Sequence, residues 1–149
     1  MTSTSEDPQP IRLIFEAADL SGWVYTQGQR MTDILQAGEP FSFLPRGGDP
    51  TKWIEVLPDD TLLVVPPPHV SEPELRVRGN QTAVVIRAGE YRITGIAYMR
   101  PGEQDDPMLR ATRRFLPLTA ATFGREGEPE EQAEVVIVNQ RRTSGFEVV

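Results

Sequence analysis

Apolar and polar residues alternate with a period of two along much of the chain. Ile11, Leu13 and Phe15 are separated by single residues, and the odd-numbered positions from Tyr91 to Met99 follow the same pattern. A period of two is typical of a strand with one buried face. Gly and Pro clusters interrupt the pattern every few residues, as turns do. The sequence therefore predicts an all-β fold made of many short strands.

Two parts of the chain look like copies of each other. In each part a glycine lies within a predicted strand, and a Phe-Leu-Pro stretch follows it. The residues that define this repeated motif are Gly22, Phe43, Pro45, Gly95, Phe115 and Pro117. Glycine inside a strand indicates a bulge or a close backbone approach, and proline there indicates an edge or a bulge. The spacing favours duplication of one module; the alternative is chance recurrence of residues common in β proteins.

The repeat predicts two tandem small barrels of the Sm or SH3 type. Each barrel is expected to have five strands and at most one short helical turn, which Thr32 and Asp33 would cap in the first half. The predicted organisation is a flexible tail at 1–10, a first β module at 11–66, a Pro-rich linker at 67–73 and a second β module at 74–149. Residues 75–78 are predicted to add an edge strand. Modules of about 60 residues are marginal alone, so the halves are expected to pack together or oligomerise.

Three stretches resemble motifs of an uncharacterised bacterial family of small β domains. They are Arg30-Met31-Thr32-Asp33-Ile34-Leu35, the Arg-Phe-Leu-Pro-Leu-Thr-Ala-Ala run at 114–121, and Val138-Asn139-Gln140-Arg141. Gln36 departs from the Asn of the family pattern, and Ala120 departs from its Asp or Asn. The family implies no activity. The strand order also resembles that of Sm-like barrels, which form rings and often bind RNA, although a fold alone does not assign a function.

Composition excludes several kinds of chemistry. The chain has no cysteine, which excludes disulfides, thiolate catalysis and Cys-ligated zinc. The single histidine, His69, has no neighbouring pattern for a triad or a metal site, so we interpret it as an exposed linker residue. Glu103, Asp105 and Asp106 lack the spacing of an EF-hand loop. No phosphate-binding loop or nucleophile elbow is present. The sequence therefore predicts a protein that is not an enzyme and needs no cofactor.

The charged residues leave two interpretations open. A net charge of −7 disfavours general nucleic-acid binding, because phosphate contacts supply most non-specific affinity. The best candidates for a ligand or partner contact are the arginines of the second half: Arg110, Arg113, Arg114, Arg141 and Arg142. Salt bridges to acidic loops are the favoured use of these arginines, and ligand binding is the alternative.

The N-terminal residues lack the basic and apolar regions of a signal peptide, and no apolar run approaches the roughly 20 residues that span a bilayer. We therefore expect a cytoplasmic protein without membrane contact. With no catalytic constellation and two small cores, the sequence predicts a protein-interaction or assembly module whose edge strands meet another copy or a protein partner. The alternative is an RNA- or nucleotide-binding module that uses the arginines of the second half.

Overall fold

The computed structural model describes residues 7–68 and 80–149. Residues 1–6 of the predicted tail, His69 in the predicted linker and the predicted edge strand at 75–78 lie outside the described residues. The first strand begins at Gln9, so the last two residues of the predicted tail belong to this strand.

Within residues 7–68 and 80–149, each half contains five strands, one short α-helix and one 3-10 turn. The first half consists of β1 (Gln9–Ile14), β2 (Asp19–Val24), α1 (Met31–Ala37), β3 (Phe41–Pro45), β4 (Ile54–Val56), a 3-10 turn at Pro58–Asp60 and β5 (Leu63–Val65). The second half repeats this order as β6 (Asn80–Ala88), β7 (Tyr91–Met99), α2 (Pro107–Ala111), β8 (Phe115–Arg125), β9 (Glu131–Asn139), a 3-10 turn at Gln140–Arg142 and β10 (Thr143–Val148). We call these the acidic turn and the basic turn. The all-β prediction is confirmed, with more helical structure than the single turn expected per half.

All ten strands belong to one antiparallel sheet, in the order β10-β6-β7-β8-β9-β5-β1-β2-β3-β4. The structure corrects the prediction of two closed barrels, because this sheet is open. In each half, the fourth and fifth strands would have to pair to close a barrel. Instead β5 of the first half pairs with β9 of the second half, with Leu63 opposite Val138 and Val64 opposite Ile137. The two halves are therefore joined by backbone hydrogen bonds into one sheet.

The helix of the first half begins differently from the sequence prediction. Arg30 is the N-cap and makes no side-chain cap bond, so Thr32 and Asp33 lie inside α1 rather than capping it. Asp33 still lies in the first turn, where a carboxylate interacts favourably with the helix dipole. Helix α1 ends at Ala37, and Gly38 is its C-cap, with a left-handed φ of 76° that suits a residue without Cβ. Within the two described ranges, no helix is long and apolar enough to cross a bilayer.

Gly22 and Gly95 occupy the same place in the two halves. Gly22 lies opposite Ile11 on the neighbouring strand, and Gly95 lies opposite Val84. A Cβ at Gly22 would overlap the Leu44 carbonyl oxygen and lie 2.8 Å from the Phe43 ring. The close backbone approach that the sequence indicated is therefore confirmed at Gly22.

The structure corrects the proposed match between Phe43-Leu44-Pro45 and Phe115-Leu116-Pro117. A Cβ at Gly95 would lie 2.9 Å from the Leu118 Cβ and 3.1 Å from the Thr119 carbonyl oxygen, the positions that Phe43 and Leu44 take beside Gly22. Leu118 is thus the counterpart of Phe43, and Phe115 lies three residues earlier on β8. The sequence likeness misled because Leu118 lies 23 positions after Gly95, whereas Phe43 lies 21 positions after Gly22.

Pro117 lies in a strand with two neighbours, so it is not on an edge of the sheet as a whole. The ladder between β7 and β8 reaches only Thr119, however, so among the described strands the part of β8 that contains Pro117 pairs with β9 alone. A bulge follows at Ala120, where φ is 48°. The missing N–H of Pro117 is tolerated because that part of β8 pairs on one side.

The hydrophobic core is divided into two clusters by the central strands. Leu63 and Val138 belong to the cluster of the second half, whereas Val64 and Ile137 belong to that of the first half. Phe115, on β8, is also buried in the cluster of the first half. Neighbouring residues along β5 and β9 therefore point into different cores. Each half supplies side chains to the other, which meets the expectation that the two small halves pack together.

Candidate functional site

Glu103 organises the loop between β7 and α2. Its side chain is 0% exposed and accepts hydrogen bonds from the Arg100 backbone N–H at 2.7 Å and from Arg113 Nε at 3.0 Å. Arg100 adds an ion pair at 3.2 Å. Burial by itself would raise the pKa of Glu103, but the hydrogen bonds from Arg100 and Arg113 outweigh burial and hold this pKa below its usual value. Arg113 is therefore used to neutralise a buried carboxylate.

The carboxylates near Glu103 do not converge on a common point. Asp106 accepts hydrogen bonds from the backbone N–H groups of Met108 and Leu109, and so caps α2. Among residues 7–68 and 80–149, no group of three or more His, Cys, Asp or Glu side chains is placed to hold a metal ion.

Arg110 connects the loop of Glu103 to the last strand. Its Nη1 donates to the carbonyl oxygens of Glu103 at 3.1 Å and Gln104 at 3.3 Å. Its guanidinium carbon lies 3.7 Å from the centroid of the Phe146 ring, a close cation–π contact. Arg110 therefore places a positive charge on β10, at one open edge of the sheet.

The basic turn meets the acidic turn where the two halves join. Arg141 lies 4.0 Å from the Asp59 carboxylate and Arg142 lies 3.8 Å from that of Asp60. Arg142 Nε also donates to the Asp59 carbonyl oxygen at 2.9 Å. These two arginines therefore make contacts from the second half to the first half.

The structure brings the two groups of candidate arginines into contact, although about 30 positions separate them in the sequence. The Gln140 side chain donates to the carbonyl oxygens of Arg110 at 2.9 Å and Arg113 at 2.7 Å. The backbone N–H of Gln140 donates to the Arg114 carbonyl oxygen at 2.7 Å. Nε of Arg114 is buried without a hydrogen-bond partner. Arg114 contributes its backbone to the contact between the basic turn and β8.

A cavity of about 450 Å³ lies between the start of α1 and β9. Its lining includes Met31, Pro67 and Val135, and also Arg30, whose Nη2 is buried without a partner. The lining is mostly apolar, and its polar side chains are those of Arg30, Thr32, Gln132 and Glu134 among the described residues.

The two edges of the sheet expose apolar side chains. On β4, Ile54 is 43% exposed, and Leu57, which follows the strand, is 49% exposed. On β10, Val148 is 48% exposed, and Val149, which follows the strand, is 81% exposed. In the part of the chain that the structure describes, β4 and β10 each pair with one strand only. Soluble proteins usually protect such edges with charge, proline or a covering segment. We therefore take the β4 edge and the β10 edge as the candidate functional surfaces.

Each edge also carries a charged side chain outside the pairs between the acidic turn and the basic turn. Glu55 is exposed on β4. Arg110 lies over Phe146 of β10, where Glu147 is also exposed. Next to β4, the rings of Tyr25 and Trp53 stack with centroids 5.0 Å apart. Glu55 at one edge and Arg110 at the other are therefore of opposite charge, and each edge also offers apolar surface.

Sequence reasoning missed the junction between β5 and β9, although the chain contains a signal for it. Residues 62–65 read Leu-Leu-Val-Val and residues 135–138 read Val-Val-Ile-Val, without alternation. Continuous apolar runs of this length indicate strands that are buried on both faces. In the structure these are the two strands that separate the two cores.

Comparison of the chain with protein-family models, with curated proteins and with solved structures found no match. The function is therefore inferred from the contacts, burial and charge described above.

Proposed function

We propose that the protein is a non-enzymatic interaction and assembly module that binds protein by strand addition at its open sheet edges. The exposure of apolar side chains on both edge strands is the observation that carries this proposal. In strand addition, main-chain hydrogen bonds supply affinity and alternate side chains supply specificity. Both β4 and β10 offer these two components. The proposed partner surface is thus distinct from the arginines that neutralise Glu103.

Each half is proposed to be a copy of one Sm-like module. The same order of strands, α-helix and 3-10 turn in both halves supports this proposal. A detail of the turns supports it further. The Thr61 hydroxyl donates to the Pro58 carbonyl oxygen at 2.7 Å, and the Thr143 hydroxyl donates to the Gln140 carbonyl oxygen at 2.8 Å. The acidic turn and the basic turn therefore repeat the same local geometry.

A role without catalysis is supported by the way the candidate chemical groups are used. The Glu103 carboxylate is neutralised by arginines, and the Asp106 carboxylate caps a helix. Both groups serve the fold, so neither is left to act as an acid or a base. An interaction role needs no such group.

RNA or nucleotide binding by the arginines of the second half is the second candidate function. Its support is the contact between the two arginine groups through Gln140. It has less support than protein binding, because Arg113 is paired with Glu103 and Arg142 with the acidic turn. Arg141 is the more exposed of the arginines in the basic turn. Salt-dependent binding of RNA that Arg141→Glu weakens would favour this function, and no salt-dependent binding by the wild type would end it.

Variants that block one edge test the proposed function. A charged residue in an edge strand opposes pairing with another strand, so Ile54→Glu should weaken capture of proteins from a lysate of the source cells. Met108→Glu is the matched control, because Met108 is an exposed apolar residue on α2 and not on an edge strand. We expect proteins recovered by the wild type and by Met108→Glu to be lost with Ile54→Glu. Equal recovery by all three proteins would contradict a role for the β4 edge.

A further inference from the structure

The junction between β5 and β9 shows how two modules join edge to edge. β5 follows the acidic turn, and β10 follows the basic turn in the same way. β9 precedes the basic turn, and β4 precedes the acidic turn in the same way. The open β10 edge is therefore the counterpart of β5, and the open β4 edge is the counterpart of β9. Within the chain the counterparts of the open edges already pair with each other.

We propose that the partner of the open edges is a second copy of this chain, an inference that rests on the proposed function and names its binding partner. The β10 edge of one copy pairs antiparallel with the β4 edge of the next copy. One copy thus offers two different surfaces, so the contact is head-to-tail. Repetition of such a contact gives a ring if the rotation closes and a filament if it does not.

The internal junction fixes the register of this contact. Leu63 lies opposite Val138, and Val64 lies opposite Ile137. In the repeat, Gly145 and Phe146 of β10 correspond to Leu63 and Val64, and Val56 and Glu55 of β4 correspond to Val138 and Ile137. Gly145 of one copy therefore lies opposite Val56 of the next copy, and Phe146 lies opposite Glu55. Continuing along the antiparallel ladder, Glu147 lies opposite Ile54 and Val148 opposite Trp53.

On the face of the sheet that carries Phe146, charge and apolar surface match in this register. Directly opposite residues of an antiparallel pair point to the same face of the sheet. Glu55 of one copy thus lies beside Phe146 of the next, whose ring carries the Arg110 guanidinium at 3.7 Å. On the same face, the exposed Val148 lies beside Trp53 of the next copy. One ion pair and one apolar pair therefore form together.

The short length of β4 is sufficient for this contact. β4 has three residues, whereas the internal junction is formed by only two opposite residue pairs. The β10 edge has six residues, so it is longer than β5. Both open edges can therefore provide at least as many backbone partners as the internal junction uses.

Disulfide cross-linking tests the register, and the absence of natural cysteine makes the test clean. Ile54→Cys and Glu147→Cys, placed in one chain, lie at opposite ends of the sheet, so a disulfide between them must join two copies. Both side chains are exposed in the described structure, so the fold should be retained, which circular dichroism checks. We expect this protein to form a covalent series of oligomers under mild oxidation. The control pairs Ile54→Cys with Met108→Cys, which lies on α2 and has no opposite residue in this register, and should cross-link far less.

A charge exchange provides an independent measurement. Glu55→Arg places a cation against Arg110 of the next copy and should weaken self-association at least about fivefold. Arg110→Glu in the same chain should restore most of this loss. Cross-linking that does not depend on the cysteine positions, or charge variants that behave like the wild type, would overturn pairing between copies. Edge-dependent capture of a different protein, without self-association, would overturn this inference alone and leave the proposed function standing.

Discussion

The side-chain amide of Gln36 binds the backbone of Phe115 on the other half of the protein. Gln36 Oε1 accepts from the backbone N–H groups of Arg114 at 3.1 Å and Phe115 at 3.3 Å, and Nε2 donates to the Phe115 carbonyl oxygen at 3.2 Å. The Phe115 ring is buried in the core of the first half. Gln36 therefore fixes the residue through which β8 enters that core.

Gln36→Leu should destabilise the protein by about 1–3 kcal/mol, because partly buried backbone groups lose their partners. Urea unfolding followed by tryptophan fluorescence measures the change. Gln29→Leu is the control, since Gln29 is exposed in a turn and its replacement should change the free energy of unfolding by less than about 0.5 kcal/mol. Equal stability of the two variants would show that Gln36 does not join the halves.

Gly22→Ala should destabilise the protein by about 1–3 kcal/mol or more, because the added methyl group meets the Leu44 carbonyl oxygen and the Phe43 ring. Gly48→Ala is the matched control. A Cβ at Gly48 would lie 3.7 Å from the Pro45 carbonyl oxygen, an ordinary contact distance. Thermal unfolding compares the two variants. A Gly22→Ala protein as stable as Gly48→Ala would contradict the close approach of β2 and β3.

The positions of most strands and of the glycine pair could be predicted from the sequence, because both depend on local pattern. Period-two alternation marked β1 and β7, and Gly22 and Gly95 marked the crowded crossing of neighbouring strands. The match between Phe43 and Phe115 failed because a similar run of residues does not determine the pairing register of a strand. The correct counterpart, Leu118, is recognised only from what lies beside Gly95.

The candidate surfaces could be predicted only in part. The sequence predicted that edge strands would bind a partner, but it did not identify β4 and β10 as those strands. That assignment depends on the pairing of β5 with β9, residues that are more than 70 positions apart. Such long-range pairing leaves only an indirect trace in the sequence, here the continuous apolar runs of both strands.

Asn139→Leu should cost about 1–3 kcal/mol of unfolding free energy, because it leaves buried carbonyl groups without a donor. Asn139 is fully buried, and its side chain donates to the carbonyl oxygens of Thr61 at 2.8 Å and Asp59 at 3.2 Å. Leucine is the residue at the corresponding position before the acidic turn, Leu57. Urea unfolding measures the loss. A variant with unchanged stability would mean that these bonds add nothing to the junction.

The free energy of unfolding should decrease as pH falls through the range in which Glu103 becomes protonated. The pKa of Glu103 is lower in the folded protein than in the unfolded chain. The contribution of Glu103 to stability is therefore complete above the unfolded pKa of about 4.3 and is lost as pH falls through the lower folded pKa. The pKa values of Asp19 and Glu131 are also lowered, mainly by hydrogen bonds from Arg12, and act in the same direction.

Glu103→Gln measures how much of the pH dependence of stability comes from Glu103. The variant should be less stable at neutral pH by on the order of 3 kcal/mol, because Arg113 loses its buried partner. Its free energy of unfolding should also vary less between pH 7 and pH 3 than that of the wild type. A parallel pH dependence of the two proteins would exclude Glu103 as a source of acid sensitivity.

The native mass of the wild type and of Ile54→Glu, measured by sedimentation over a range of concentrations, tests the role of the open edges most directly. We expect the wild type to form multiples of 16.7 kDa and Ile54→Glu to remain near 16.7 kDa, because the new carboxylate would lie opposite Glu147 of the next copy. Met108→Glu should assemble like the wild type. A wild-type protein that stays at 16.7 kDa at every concentration, and that recovers no edge-dependent partner from lysate, would contradict an assembly function.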